Sequence, residues 1–164
     1  MRKLTAFLCI LLSVLMLAGC NDTEQITTYT FRGEHDYFAI SNGSITLGDT
    51  EEVFDGGDLQ ITQSGVFEEV ASYSTTFYMI ADGERRIILS NSVVDQTGGP
   101  ISIEGDLGKG AGDGFIIGNK VEKIDNLKEN LWFELKTTDL NGNEEAYQPL
   151  HRDKKDCIFR PISI

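Results

Sequence analysis

Residues 73–80 read YSTTFYMI, residues 85–89 read RRIIL, and Ala81-Asp82-Gly83-Glu84 stands between them. Both runs are rich in β-branched and aromatic residues, which suit a pleated, half-buried surface. An Asp-Gly pair between such runs supplies the left-handed residues that a tight hairpin turn needs. Two antiparallel strands are expected here.

The same signature recurs on either side. Ile26 to Phe31 (ITTYTF) and Asp36 to Ile40 read as strands, and Ser44 to Leu47 resumes the alternation after Ser41-Asn42-Gly43. Asn42-Gly43 is expected to be a hairpin turn. Val53-Phe54 and Leu59 to Thr62 flank Asp55-Gly56-Gly57, and Ile101 to Glu104 reads as a further strand. Leu131 to Thr137 (LWFELKT) is expected to pair with Ala146 to Leu150 across Asp139 to Asn143, with Asn141-Gly142 at the turn. One segment differs. Val121, Ile124, Leu127 and Leu131 fall at helical spacing, and Asn119 with Glu122 fits a capping box, so a short helix is expected over 120–130. Many short strands with frequent turns predict a mainly β domain over 26–150, an antiparallel β-sandwich or, as the alternative, a β-barrel.

The chain begins Met1-Arg2-Lys3, followed by an apolar run from Leu4 to Leu17 interrupted only by Thr5 and Ser13. That is the cationic start and apolar stretch of a secretory signal, shorter than the ~20 residues a spanning helix needs. It ends at Leu17-Ala18-Gly19-Cys20, after which the chain turns polar with Asn21-Asp22-Thr23-Glu24. Leu-Ala-Gly-Cys is similar to the lipobox of bacterial lipoprotein precursors. The resemblance implies a signal peptide over 1–19, cleavage between Gly19 and Cys20, and acyl chains such as palmitate on Cys20. The domain would then be tethered by residues 20–25 to the extracytoplasmic face of the cell membrane. Each buried methylene contributes about 0.8 kcal/mol, so two or three acyl chains hold stably where one does not.

Charge narrows the function classes. The sequence has 26 Asp and Glu against 14 Lys and Arg, a net charge of −12, which becomes −14 once Arg2 and Lys3 leave. Nucleic acid is bound mainly through Lys and Arg, so a nucleic-acid partner is not expected. Of three cysteines, Cys9 leaves with the signal and Cys20 takes lipid, which leaves Cys157 without a partner for an internal disulfide. After Leu150 the alternation stops, and Arg152, Lys154, Lys155 and Arg160 cluster in an atypical tail over 151–164. Two readings stand: a linker to an edge strand at Ile158 to Ile164, or a stretch translated in a shifted frame.

No residue pattern singles out catalytic residues, a metal site or a cofactor. Gly108-Lys-Gly-Ala-Gly-Asp-Gly114 lacks both the spacing and the following helix of a phosphate loop, and is expected to be an inter-strand loop. Asp139 to Glu145 resembles a calcium loop only superficially, because Glu144 and Leu150 stand where such a loop wants glycine and glutamate. Asp49, Glu51, Glu52, Asp55 and Asp58 are expected to form a solvated charged surface rather than a calcium cluster. With only His35 and His151, a three-histidine zinc site is impossible, and no GxSxG elbow occurs.

Gly33-Glu34-His35-Asp36-Tyr37-Phe38, with Asn42-Gly43 and Gly56-Gly57-Asp58-Leu59, resembles small lipoproteins of Gram-positive bacteria. Those often read Gly-Glu-Ser-Glu-Asn-Trp shortly after the lipid cysteine, and His35 and Phe38 depart from that form. The resemblance implies a β-sandwich at a membrane surface and no activity. The leading expectation is a non-enzymatic, lipid-anchored envelope module for a protein or glycan partner. The rivals are a small envelope hydrolase using carboxylates or a metal, and a calcium-stabilised structural domain.

Overall fold

In the computed structural model, which describes residues 26–112, 114, 116, 120–148 and 160–162, the Asp82-Gly83 hairpin joins β5 (Val70–Ala81) to β6 (Glu84–Val94). Ala81 pairs with Glu84. Asp82 and Gly83 take φ values of 55° and 78°, the left-handed pair that a two-residue hairpin demands. On its other side β5 pairs with β9 (Leu131–Asp139), which turns through Gly142 into β10 (Glu144–Tyr147), giving a sheet ordered β10-β9-β5-β6. The last hairpin thus forms at the expected turn, with its second strand beginning two residues early.

The second sheet is built from β1 (Thr27–Glu34), β2 (Phe38–Leu47), β3 (Glu52–Asp55), β4 (Asp58–Ile61), β7 (Gly105–Asp106), β8 (Lys109–Gly112) and β11 (Arg160–Ile162). Its main path is β11-β1-β2-β3-β8, with β4 paired to β2 and β7 to β4. β3 and β4 continue one another along β2 in a single register, Ser44 opposite Asp55 and Ser41 opposite Asp58. β7 and β8 continue one another along them in the same way. The breaks align: Asn42-Gly43, Gly56-Gly57 and Leu107-Gly108 lie side by side across the sheet. Backbone bonds from Gly56 to Gly108 and from Leu107 to Gly57 carry the ladder over the gap.

Both sheets are antiparallel and they stay separate, so the domain is a β-sandwich and not a closed barrel. Phe31, Phe38 and Phe54 from one sheet meet Phe77 and Phe133 from the other, all nearly inaccessible. Ring centroids lie 4.8 Å apart for Phe77 and Phe133 and 5.0 Å apart for Phe54 and Phe77. Each such ring stabilises the fold by about 1.5–3 kcal/mol through burial. The helix α1 (Lys120–Asn130) occupies the expected span and turns Ile124 and Leu127 into this core beside Leu131.

Three expectations need correction. Asn42-Gly43 is not a hairpin turn but the middle of β2. Only Asn42 takes the left-handed conformation there (φ 59°). Gly43 is required for another reason: a Cβ would lie 2.5 Å from the Phe31 ring that packs over it. Ile101 to Glu104 is not a strand. The Ile101 N–H goes to the Val70 carbonyl outside any ladder, and the Ile61 N–H on β4, which a neighbouring strand's carbonyl could have accepted, is taken by the Glu104 carboxylate at 3.1 Å. Lys109 to Gly112, expected in a loop, is strand β8, since the backbone ladder to β3 needs no side chains.

The signal segment 1–19, the Gly19-Cys20 cleavage site, the tether 20–25, the cap Asn119, His151, Cys157 and tail residues 151–159 lie outside the described residues. Residues 160–162 pair with Thr28 to Thr30 at the edge of the larger sheet, Pro161 opposite Tyr29. Proline is tolerated at an edge because its missing N–H has no neighbouring strand to meet.

Candidate functional site: the outer face of the four-stranded sheet

Side chains alternate across a strand, so β9 sends Leu131, Phe133 and Leu135 to the core and Trp132, Glu134 and Lys136 outward. Tyr78 of β5 pairs directly with Trp132, and their rings lie parallel within 10° at 6.2 Å. The guanidinium of Arg85, the second residue of β6, sits 3.8 Å over the Tyr78 ring. It also grips Glu134 with both nitrogens, at 2.9 and 3.4 Å. Gln148 donates to the same carboxylate at 3.0 Å and the Lys136 ammonium stands 3.6 Å away.

Glu134 is therefore buried on the solvent side of the sheet, with a side chain only 6% exposed. The Arg85 hydrogen bond holds its carboxyl below the ordinary carboxylate range against the opposing effect of burial. The same bond raises the Arg85 pKa. Burial pushes the Tyr78 phenol up, opposed by the neighbouring guanidinium. Ile80 and Ile87 flank this cluster and are 36% and 61% exposed. The result is a rigid post of stacked planes, Trp132, Tyr78 and Arg85, locked by a carboxylate and edged by exposed aliphatics. Toward β10 the same face runs into a shallow trough of about 470 Å³ lined by Ser72, Ser74, Ser92, Lys136, Thr138 and Glu144.

The residues singled out from sequence are dispersed. Glu52, expected in a solvated acidic surface, is instead 3% exposed: its carboxylate accepts the Ile116 N–H at 2.9 Å and pairs with Lys123 of α1. Asp55 pairs with Lys109 at 2.8 Å and Asp58 accepts from Asn42 at 2.8 Å. Asp139 turns inward on its own loop, accepting from the Asn141 and Asn143 backbones at 2.8 Å and from the Asn143 amide at 2.7 Å. Those bonds hold its carboxyl below its usual range. Among the described residues no three acids, histidines or cysteines converge where a metal ion could sit.

His35 stacks on Phe38 at 4.7 Å and accepts the Tyr37 N–H at 3.3 Å, and burial lowers its pKa against the Asp36 charge. It belongs to an aromatic cluster with Tyr37, Phe67 and Tyr147, whose rings touch at 5.3 to 6.1 Å. Rings that close leave no room for a cation between them. Beside Tyr147 lies an acidic cleft of about 310 Å³, lined by Glu68, Glu69, Asp139, Asn143 and Glu145 among others. A carboxylate pair that hydrolyses a bond needs one carboxyl ionised and one protonated, and the loop bonds favour the ionised form of Asp139.

Trp132, Tyr78, Arg85 and Glu134 carried no signal in the sequence beyond alternation. What unites them is the pairing of β5 with β9, which no local pattern specifies. No family model, curated protein or solved structure matches the chain.

Proposed function

We propose that this chain is a lipid-anchored binding module of the cell envelope, held to the membrane through Cys20, that contacts its partner with the outer face of the four-stranded sheet. The observation that carries the reading is the Trp132–Tyr78–Arg85–Glu134 post. Tryptophan, tyrosine and arginine dominate binding energy at interfaces when they are rigid and centrally placed. Here Tyr78, itself buried at 5% exposure, and the doubly bonded guanidinium hold Trp132 and Arg85 in place before any partner arrives, so little side-chain entropy remains to be lost on contact. Exposed Ile80 and Ile87 supply apolar area beside them.

A photo-crosslinking residue at Ile87, compared with one at Glu129 on α1, tests this in intact cells. Crosslinks confined to position 87, and lost when Trp132→Ala is added, support the reading. Equal crosslinking at both positions, or none at 87, refutes it. The hydrolase alternative would draw on the acidic cleft beside Tyr147, which the same variants leave intact.

A further inference from the structure

Residues 65–70, which lead into β5, face the β9–β10 hairpin across the cleft of about 310 Å³ beside Tyr147. The two walls are pinned to one another by the Leu140 N–H, which donates to the Glu69 carbonyl at 2.9 Å. Glu68 and Glu69 stand on one wall, Asp139 and Glu145 on the other, and no lysine or arginine lines the space. Elsewhere the acids of this molecule are matched to cations, Glu52 to Lys123, Asp55 to Lys109 and Glu134 to Arg85. Among the described residues these four have no cationic partner. Glu145 accepts the Tyr147 hydroxyl, and Asp139 accepts only N–H groups of its own loop.

The floor of the cleft separates it from an ordinary acidic surface. Thr137 follows Phe133 and Leu135 in alternation on the inner face of β9, opposite Glu145, and is only 5% exposed. Its hydroxyl has no hydrogen-bond partner among the described residues. No fully enclosed polar side-chain atom there goes unpaired, so this oxygen opens on the cleft. A buried hydroxyl without a bond is destabilising until a partner reaches it. Beside it Val70, Val66 and the Tyr147 ring supply apolar surface.

We propose that this cleft binds an aliphatic polyamine, its ammonium groups on the carboxylates and the Thr137 hydroxyl, its methylenes on Val66, Val70 and Tyr147. An ammonium group donates and cannot accept, and the carboxylates and the Thr137 oxygen all accept. A metal ion fits badly, because no three of the acids converge on one point and an ion has no use for apolar walls. Charges spread around a cleft match charges spread along a chain. Burial and the Glu145 carboxylate push the Tyr147 phenol up to about 12, so it stays neutral and leaves the four carboxylates to set the local charge. The volume suits a small molecule. This site is distinct from the outer Trp132 face, and the inference does not rest on the reading of that face.

The test is isothermal titration calorimetry of the full chain in neutral detergent at about 0.15 M salt, with spermidine as the probe. The wild type should bind one spermidine per chain. Glu68→Gln with Glu69→Gln should weaken binding about tenfold, as should Thr137→Val alone, while Thr137→Ser retains it. A chain of net charge −12 draws cations to its whole surface, so a charge-matched control is needed. Glu84→Gln with Glu129→Gln removes the same charge from exposed positions away from the cleft, and should change the affinity by less than about twofold. Equal weakening by both charge pairs would show diffuse attraction alone and overturn the proposal. So would a Thr137→Val variant that binds like wild type, or no saturable binding below millimolar spermidine. Calcium that binds as tightly as spermidine overturns it in favour of a metal site, and a lysine-rich peptide that binds where spermidine does not overturns it in favour of a protein partner.

Discussion

Arg85→Ala isolates the ion pair that locks the Trp132 post. Removing the guanidinium leaves Glu134, with a side chain 6% exposed, to Gln148 and to an ammonium 3.6 Å away. Breaking a buried ion pair from one side costs about 3–5 kcal/mol. The remaining donors, and the 37% exposure of Arg85 itself, reduce this to about 2–3 kcal/mol. For the domain over 26–150, at about 2.1 cal/mol/K per residue, that lowers Tm by about 8–11 °C in a calorimetric or circular-dichroism melt. Adding Glu134→Gln should recover part of the loss, because the stranded charge goes with it. The pH dependence has a definite sign. Glu134 is held below its unfolded pKa, so its stabilisation is full above the unfolded carboxylate value, near 4.3, and is lost as pH falls through the depressed folded value. Wild type and Arg85→Ala should therefore differ most at neutral pH, draw together below the unfolded carboxylate value, and converge only once pH has fallen past the depressed folded value. A loss under about 0.5 kcal/mol, or a second substitution that adds to the first, would show that the pair is an ordinary surface contact and refute the argument.

Cys20→Ala should abolish incorporation of labelled palmitate and leave uncleaved precursor while the folded domain persists; unchanged labelling refutes the anchor. Gly43→Ala should lower stability by about 1–3 kcal/mol through overpacking against Phe31, read as a shifted denaturation midpoint with an unchanged slope. Millimolar calcium should move Tm by less than about 1 °C, since Asp139 is already bonded to its own loop and Glu52 to Lys123. A rise of several degrees reversed by chelator would restore the calcium-stabilised reading.

Three similar dipeptides show what the sequence could and could not convey. Asp82-Gly83 and Asn141-Gly142 lie in turns, where nothing but the local chain decides the geometry. Asn42-Gly43 has the same composition but sits under Phe31, and that contact keeps β2 running straight on through it. The helix at 120–130 was legible because Ile124, Leu127 and Leu131 declare their common face by spacing alone. The alignment of β3 with β4 and of β7 with β8 was not, because a collinear break looks like a turn until its partner strand is known. The Trp132 post failed to announce itself for a related reason. Tyr78 and Arg85 belong to one hairpin, but Trp132 and Glu134 reach them only after some fifty intervening residues have folded elsewhere.

The strand pairings also set a tempo. β5 meets β9 through partners such as Val70 with Asp139 and Met79 with Leu131, and β1 meets β11 through Thr28 with Ile162. Apart from the β1–β2, β2–β3, β2–β4, β5–β6 and β9–β10 pairs, the strand pairings close over long stretches of chain, and loop-closure entropy must be met before they repay it. All-β domains of this connectivity acquire their native state in milliseconds to seconds. The β5–β6 hairpin forms in microseconds but cannot bury Phe77 until Phe133 arrives from the far end of the chain. A nascent chain emitted N-terminus first at about 5–20 residues per second therefore stays unfolded until residues near 139 are out. The wiring thus sets an order of events: Phe77 waits unburied through the making of β6, β7, β8 and α1, and the core closes only when β9 brings Phe133 to it.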